Sequence, residues 1–445
     1  MIKLGSISLA LSLLISGCVS YGDTKNTPLE VAPATKSYSL KTFVQGNRVR
    51  REDVRIMLAF SGGGTRAAAF SYGVLKALRN IKVPIDGRPE RLLDAVANIS
   101  SVSGGSFTAA YYGLHGERIF TEFEDAFLRR DVEGALKANL FNPFNWFRTT
   151  GRTERAIEYY DETVFKGATF ADINLEDGPL IVINTSDLSH GVRFSFLQGY
   201  FNLLCSDLAS FPVARAVAAS SAVPVVFHPV VVRNYPDCGS ATAKKVLAAM
   251  RQRAGGDDRL TQTVDGLESY FDKDKRKYVH FVDGGITDNL GLLSAFDFIE
   301  VAGGAKAYYD RLGHRPPRRA VIIAVNASTN PEPVMGASNR QPTLIETVNA
   351  MSDVQLHRYN TETIVLMKER LEKWTKAVST PERPVAGYFI QLSFRDIAPQ
   401  RRKFFNRITT SFALTDKQVD QLIAAGGDLM RSNPEFQRLL ADLRG

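Results

Sequence analysis

The chain of 445 residues has few cysteines and few histidines for its length. Its three cysteines include no CxxC pair, which argues against a disulfide scaffold and against a zinc site. The six histidines leave few candidates for histidine-dependent chemistry. The net charge of +8 is spread along the chain without a long basic tract, so we expect no nucleic-acid binding. With 44% hydrophobic residues, the chain is expected to fold around a large core.

Residues 1–17 have the pattern of a signal peptide. Lys3 precedes the apolar run 4–15, which is too short to cross a bilayer. The run leads into the sequence LISGC at residues 14–18, which resembles the lipobox of bacterial lipoproteins. The resemblance implies that Cys18 becomes the lipid-bearing first residue of the mature chain and anchors it in the bacterial cell envelope. Val19 replaces the aspartate associated with inner-membrane retention, which implies the outer membrane. An ordinary signal peptide with a chance cysteine is the alternative.

The rest of the chain divides into a tether and one domain. Residues 18–50 are polar and show no apolar period, so we predict a flexible tether. Residues 51–445 show neither an internal repeat nor a linker and are predicted to form one α/β domain, with a partly helical insertion or lid at 234–277. The two remaining cysteines, Cys205 and Cys238, could pair in a disulfide or stay as buried thiols.

A glycine loop joins a predicted strand to a predicted helix near the start of this domain. The apolar run 55–60 has strand length, and Gly62, Gly63 and Gly64 follow it, just before a helix-favouring alanine run. Because glycines lack a Cβ atom, their backbone N–H groups can approach a ligand, and the helix N-terminus adds partial positive charge. Such a loop can hold an anion. A tight structural turn without a ligand is the alternative interpretation. Its spacing fits neither a Walker loop nor a dinucleotide GxGxxG motif.

A second predicted strand, 95–100, runs into a serine- and glycine-rich turn and then into a helix-favouring segment. Ser103 has the small residues Ser101 and Gly105 two positions before and after it, as the strained elbow of a nucleophilic serine requires. The pattern is S-x-S-x-G, one residue away from G-x-S-x-G. A serine- and glycine-rich connection without chemistry is the alternative.

A third predicted strand, 278–282, leads into Asp283, Gly284 and Gly285. An aspartate at a strand end can approach a side chain on the adjacent edge of the sheet and act as a base. The turn also has a purely local explanation, since aspartate bonds its own backbone and glycine accepts positive φ.

Taken together, the three motifs resemble those of the patatin-like phospholipase family. The segment 216–229 is similar to the family's A-S-x-A-x-P-x-x-F-x-P stretch, and the region 409–426 is similar to the tail of bacterial members. The resemblance implies a three-layer α/β/α sandwich around a mostly parallel sheet. It also implies hydrolysis of acyl esters of phospholipids and related lipids, without a metal or an organic cofactor.

The resemblance also implies roles for individual residues. Ser103 would be the nucleophile and Asp283 the second member of a Ser-Asp dyad, while the glycines 62–64 would supply the N–H groups of an oxyanion hole. Arg66 would lie beside the glycines, where its guanidinium could hold a substrate phosphate. Ser101 stands where the family more often has glycine. The expected partner is membrane phospholipid, reached from the lipid anchor at Cys18.

Two other functions are compatible with the sequence. A Ser-His-Asp esterase needs a histidine, and His228 and His280 lie in or beside the motifs, but the chain order of α/β-hydrolases puts the histidine last. A catalytically silent envelope lipoprotein of the same fold, acting in binding, is the other alternative. A purely structural role does not need Ser103, Asp283 and the glycine loop together.

Overall fold

The computed structural model describes residues 22–29, 38–46, 48–135, 151–224, 226–236, 238–239, 241–330, 336 and 338–445. The predicted signal peptide and the predicted lipidation site Cys18 lie outside these residues.

The strands of the described residues are numbered in chain order. They are β1 (Thr27–Pro28), β2 (Val54–Phe60), β3 (Lys82–Ile85), β4 (Arg88–Arg91), β5 (Val96–Val102), β6 (Leu180–Asp187), β7 (Val192–Ser195), β8 (Ser206–Asp207), β9 (Val230–Arg233), β10 (Tyr278–Val282), β11 (Arg319–Asn326) and β12 (Ala386–Ser393). Eight of them form one sheet in the order β12-β11-β2-β5-β6-β10-β9, with β7 also paired to β6. The strands β12, β11, β2, β5 and β6 are parallel, and the others join antiparallel.

The α-helices of the described residues are also numbered in chain order. They are α1 (Leu40–Phe43), α2 (Gly64–Asn80), α3 (Gly104–His115), α4 (Ile119–Phe123), α5 (Arg152–Tyr160), α6 (Gln198–Phe201), α7 (Val213–Ser220), α8 (Ala241–Arg253), α9 (Asp258–Glu268), α10 (Gly285–Asp288), α11 (Leu293–Ala302), α12 (Ala305–Leu312), α13 (Leu344–Val378), α14 (Pro399–Asn406), α15 (Asp416–Ser432) and α16 (Pro434–Arg444). None of these helices is both long enough and apolar enough to cross a membrane.

Side chains of the central strands alternate between two helical layers. In β2, Ile56 and Leu58 belong to the core shared with α2, α3 and α15, whereas Met57 and Ala59 belong to a second core shared with α11 and α13. A period of two is what a strand buried on both faces produces. The three-layer α/β/α sandwich around a mostly parallel sheet, predicted from the sequence, is therefore confirmed.

The helix that carries the glycine loop is held by the C-terminal part of the chain. Helix α15 packs along α2, so the tail of the chain supports the loop from behind. Thr415 starts α15 with a capping box, in which its side chain accepts from the Gln418 amide and the Gln418 side chain accepts from the Thr415 amide.

The packed part of the chain begins before residue 51. Tyr38 and Phe43 are buried, and the Tyr38 hydroxyl donates to the carbonyl oxygen of Ile181 over 2.8 Å. Tyr38 and Phe43 belong to the segment 18–50, for which the sequence analysis predicts a flexible tether. The structure differs over 38–46 because aromatic side chains in this stretch enter the core of the domain.

A disulfide and an ion pair stabilise the edge of the sheet near β9 and β10. Cys205 and Cys238 form a disulfide, with their Cα atoms 5.5 Å apart. The predicted insertion 234–277 contains α8 and α9, and its last turn is tied to β6 where Arg276 forms a 2.6 Å ion pair with the buried Asp187.

Candidate active site

Ser103 occupies a strained turn between β5 and α3. Its φ of +50° and ψ of −123° are unfavourable for a residue with a side chain, and such strain is typical of functional positions. The turn is tight because a Cβ atom on Gly104 would lie only 1.9 Å from the carbonyl oxygen of Gly64. Glycine at position 104 therefore lets the elbow and the glycine loop pass each other closely.

The Ser103 hydroxyl is hydrogen-bonded to the carboxylate of Asp283, which follows β10. Both side chains are buried. Burial raises the pKa of Asp283 to about 6, although hydrogen bonds from the Gly285 amide, 2.7 Å away, and from Ser103 act in the opposite direction. The structure thus places a carboxylate of increased basicity next to the serine hydroxyl.

The glycine loop lies directly beside Ser103. A Cβ atom on Gly62 would be 3.3 Å from the Cβ of Ser103. Gly63 and Gly64 adopt φ values of +137° and +60°, which glycine tolerates far better than other residues. Gly62, Gly63 and Gly64 therefore form one wall of the site.

The three glycine N–H groups are not equivalent. The Gly62 N–H donates to the carbonyl oxygen of Asn289 over 3.0 Å, so it is already engaged. The hydrogen bonds of the described residues leave the N–H groups of Gly63 and Gly64 without an acceptor. The same holds for Gly104, the first residue of α3, whose position directly after Ser103 is a signal that the sequence reasoning missed. These amides and the positive end of α3 can stabilise negative charge.

Arg66 is buried and bonded to other parts of the chain. Its Nε donates to the Ala327 carbonyl over 2.9 Å, its Nη1 to the Ile408 carbonyl over 2.6 Å and its Nη2 to the Thr410 hydroxyl over 3.1 Å. Burial lowers its pKa to about 10. These bonds fasten the glycine loop to the C-terminal region, a positioning role that the sequence did not predict. The contact with a substrate phosphate stays a prediction.

The last residue of α7 and the residues that follow it hold both halves of the site, and sequence reasoning missed this role. The Ser103 N–H donates to the Ser220 hydroxyl over 2.8 Å, and that hydroxyl donates to the Asn184 carbonyl over 2.6 Å. The Asp283 N–H donates to the carbonyl oxygen of Ala222 over 3.0 Å. In the sequence, the segment 216–229 is similar to a family motif. That similarity indicates that the segment matters for the fold or the site, but it does not predict these hydrogen bonds.

No histidine is hydrogen-bonded to Ser103 or Asp283 in the part of the chain that the structure describes. His280 is exposed on β10, and His228 is exposed near Gly151. Nor do the described residues include a group of three or more His, Cys, Asp and Glu side chains able to hold a metal ion. The geometry brings a serine to an aspartate without a histidine between them.

Comparisons with known proteins bear on the part of the chain that contains this site. The family model for patatin-like phospholipases matches residues 58–296, more than half of the chain, including the glycine loop, Ser103 and Asp283. No curated protein matches the chain by sequence.

Among solved structures, the chain is similar to human GIVD cytosolic phospholipase A2. The identity is 14% and the TM-score 0.47, over 96% of this chain and 72% of that chain. It is also similar to VipD from Legionella pneumophila, with 12% identity and a TM-score of 0.32 over 97% of this chain and 73% of that chain.

Proposed function

The chain belongs to the patatin-like phospholipase family of lipid acyl hydrolases, and from that premise we propose that it cleaves acyl esters with a Ser103–Asp283 dyad. The observation that carries the proposal is the hydrogen bond from the Ser103 hydroxyl to the buried Asp283 carboxylate, at a strained elbow that faces unoccupied backbone amides. This combination brings a nucleophile, a base and a site for an oxyanion together from the ends of three strands.

In the proposed reaction, Ser103 Oγ attacks the acyl carbonyl carbon while Asp283 accepts the hydroxyl proton. The carbonyl oxygen becomes an oxyanion, which the N–H groups of Gly63 and Gly64 stabilise. When the tetrahedral intermediate collapses, the ester C–O bond breaks, the proton passes from Asp283 to the leaving alkoxide, and an acyl-serine forms. Water then attacks this ester, Asp283 accepts its proton, and the acid is released as Ser103 is protonated again.

The environment of Asp283 suits both halves of this cycle. An ordinary carboxylate is a weak base at neutral pH, and proton transfer improves when the pKa of the base approaches the working pH. With a pKa of about 6, Asp283 is a stronger base than an exposed aspartate and is still mostly ionised at pH 7. Partial desolvation therefore raises the pKa of Asp283 enough to make it an effective base, but not so far that it stays protonated at neutral pH.

The proposed substrate is a membrane phospholipid, and the proposed location is the bacterial outer membrane. The sequence LISGC at Cys18 supports a lipid anchor, and two or more acyl chains on one cysteine give stable membrane attachment. Palmitate labelling of the full chain in a bacterial host should mark the wild type and not Cys18→Ser. Equal labelling of both proteins contradicts the anchor, and recovery of labelled protein in the inner-membrane fraction contradicts the location.

The reaction is tested by incubating purified wild type, Ser103→Ala and Ser221→Ala with vesicles of mixed phospholipid, lysophospholipid and neutral acyl ester. Ser221, the residue after α7, is the matched control because it is also buried, but its hydroxyl donates to the Val217 carbonyl of that helix. We expect release of fatty acid by wild type and Ser221→Ala and none by Ser103→Ala. Equal release by all three proteins contradicts the dyad, and no release by folded wild type favours the binding lipoprotein.

A further inference from the structure

A small polar cavity of about 20 Å³ lies where the carboxyl ends of β11 and β12 meet α13. Asn326 and Ser393, the last residues of these two strands, line it together with Asn360 of α13. Arg395 and Thr361 also line it and are exposed, so they lie at its solvent side. A polar cavity of this volume holds about one water-sized group.

Asn289 connects this cavity to the glycine loop. Its carbonyl oxygen accepts from the Gly62 N–H over 3.0 Å. Its side-chain Nδ2 donates to Ser328 Oγ and to Asn360 Oδ1, each over 3.4 Å, and both of these residues line the cavity. Because Gly62 lies beside Ser103, the cavity lies next to the candidate active site.

The cavity wall contains hydrogen-bond donors that the described residues do not engage. Asn326 Oδ1 accepts from the Ser328 backbone N–H over 2.9 Å, which fixes the orientation of the amide and leaves its Nδ2 without an acceptor. The Ser328 hydroxyl accepts from Asn360 Nδ2 over 3.2 Å, and its own proton has no acceptor among the described residues. Free donors of this kind suit a ligand oxygen that only accepts.

Arg395 adds a positive charge at the solvent side of the cavity. Its backbone N–H donates to Ser393 Oγ over 3.3 Å, but among the described residues its guanidinium has neither a hydrogen-bond acceptor nor an ion-pair partner. Burial lowers the pKa of His357, which also lines the cavity, and the charge of Arg395 lowers it further, whereas Asp353 raises it. The exposed Asp353 and Asp396 form no ion pair with Arg395 in the described part of the chain. Its charge is therefore available to an anion.

We propose that this cavity binds the phosphate group of the phospholipid substrate, with one anionic oxygen inside and the other oxygens at Arg395. That oxygen accepts from the free donors of Asn326 and Ser328, and a guanidinium forms charge-assisted hydrogen bonds with phosphate. All three guanidinium nitrogens of Arg66, in contrast, are already bonded within the protein. The inference rests on the proposed function, because the phosphate is that of the lipid whose acyl ester Ser103 attacks.

Binding is measured by calorimetry with the full chain carrying Ser103→Ala, so that the ligand is not consumed. The ligands are dihexanoylphosphatidylcholine, its phosphate-free counterpart dihexanoylglycerol, and inorganic phosphate. In this background, Arg395→Met should weaken binding of the phospholipid about tenfold or more and leave binding of dihexanoylglycerol unchanged. Arg88→Met, which removes an exposed arginine of β4, should bind both lipids as the Ser103→Ala parent does.

A second pair of variants tests the cavity itself. Thr361→Phe covers the cavity from its solvent side and should also weaken phospholipid binding about tenfold. Val365→Phe, one turn further along α13 and outside the cavity wall, should not. The proposal is overturned if the Ser103→Ala parent does not bind the phospholipid, or if Arg395→Met or folded Thr361→Phe binds it as the parent does. Tighter binding of inorganic phosphate than of phospholipid also overturns it, because the ligand is then free phosphate.

Hydrolysis in the wild-type background separates this proposal from the proposed function. If wild type and Arg395→Met release fatty acid from limiting phospholipid at the same rate, the phosphate site is wrong and the Ser103–Asp283 dyad stands. If wild type releases none while the binding results are as expected, the hydrolysis is wrong and the cavity is still a phospholipid phosphate site.

Discussion

The backbone N–H of Ser103 donates a hydrogen bond to the hydroxyl oxygen of Ser220 over 2.8 Å, although the two residues lie 117 positions apart in the chain. Ser103 holds an unfavourable positive φ, and an acceptor fixed in the core opposes relaxation of that turn. The acceptor is itself fixed, because the Ser220 hydroxyl donates to the carbonyl oxygen of Asn184 in β6. The orientation of the proposed nucleophile therefore depends on a side chain that does not touch the reacting atoms.

Removing this support should slow the reaction without weakening substrate binding. For Ser220→Ala we expect kcat to fall about 10- to 100-fold, because a buried N–H left without its acceptor costs roughly 1–3 kcal/mol. KM should stay close to that of wild type. Ser221→Ala is the matched control and should keep wild-type kcat. Steady-state kinetics of the three proteins checks this, and equal kcat for both variants shows that Ser220 is not a positioning residue.

The activity should depend on the ionisation of Asp283. Its pKa is raised to about 6 by burial, and the carboxylate form is the base, so kcat/KM should rise with pH through about 6 and level off above it. Asp288 is a second buried carboxyl with a pKa raised to about 6, chiefly by burial, but it accepts from the Leu292 and Leu293 amides. The profile of Asp288→Asn should keep the same inflection. A flat wild-type profile between pH 5 and 7 contradicts this role of Asp283.

The burial of Asp283 should also lower the free energy of unfolding at neutral pH. Its folded-state pKa is higher than the value of about 4 in an unfolded chain, so the folded state loses stability as pH rises from about 4 through 6. The cost is about 3 kcal/mol once the carboxyl is ionised in both states. Asp283→Asn should therefore unfold at higher denaturant concentration than wild type at pH 8. The difference should shrink towards pH 4, and a variant less stable at pH 8 contradicts the prediction.

The free amides of the glycine loop should be essential to the reaction. Gly63→Ala forces a side chain onto a φ of +137° and displaces the N–H groups, so we expect kcat to fall about 10²–10³-fold. Gly87 is the control, because it has a φ of +76° in the turn between β3 and β4, with open space around it. Gly87→Ala should lose stability and keep wild-type kcat. Comparable kcat losses in both variants would mean that general strain, rather than the oxyanion site, explains the effect.

The sequence predicted those features that depend on local patterns. Each of the three motifs combines an apolar run with a small-residue turn, and the structure shows a strand end at each, with Ser103 and Asp283 in contact. The roles of Gly62 and Arg66 could not be predicted in this way, since their partners Asn289 and Ile408 lie far away in the chain. Likewise, the packing of Tyr38 depends on Ile181, which local polarity does not reveal.

The central claim, that Ser103 is the nucleophile, is tested most directly by identifying the serine that a fluorophosphonate modifies. The reagent phosphonylates activated serines, and peptide mass spectrometry locates the adduct in the full chain. The account predicts an adduct on Ser103 in wild type, no adduct in Ser103→Ala, and loss of ester hydrolysis in step with labelling. An adduct on another serine that abolishes activity, or full activity in Ser103→Ala, contradicts the account.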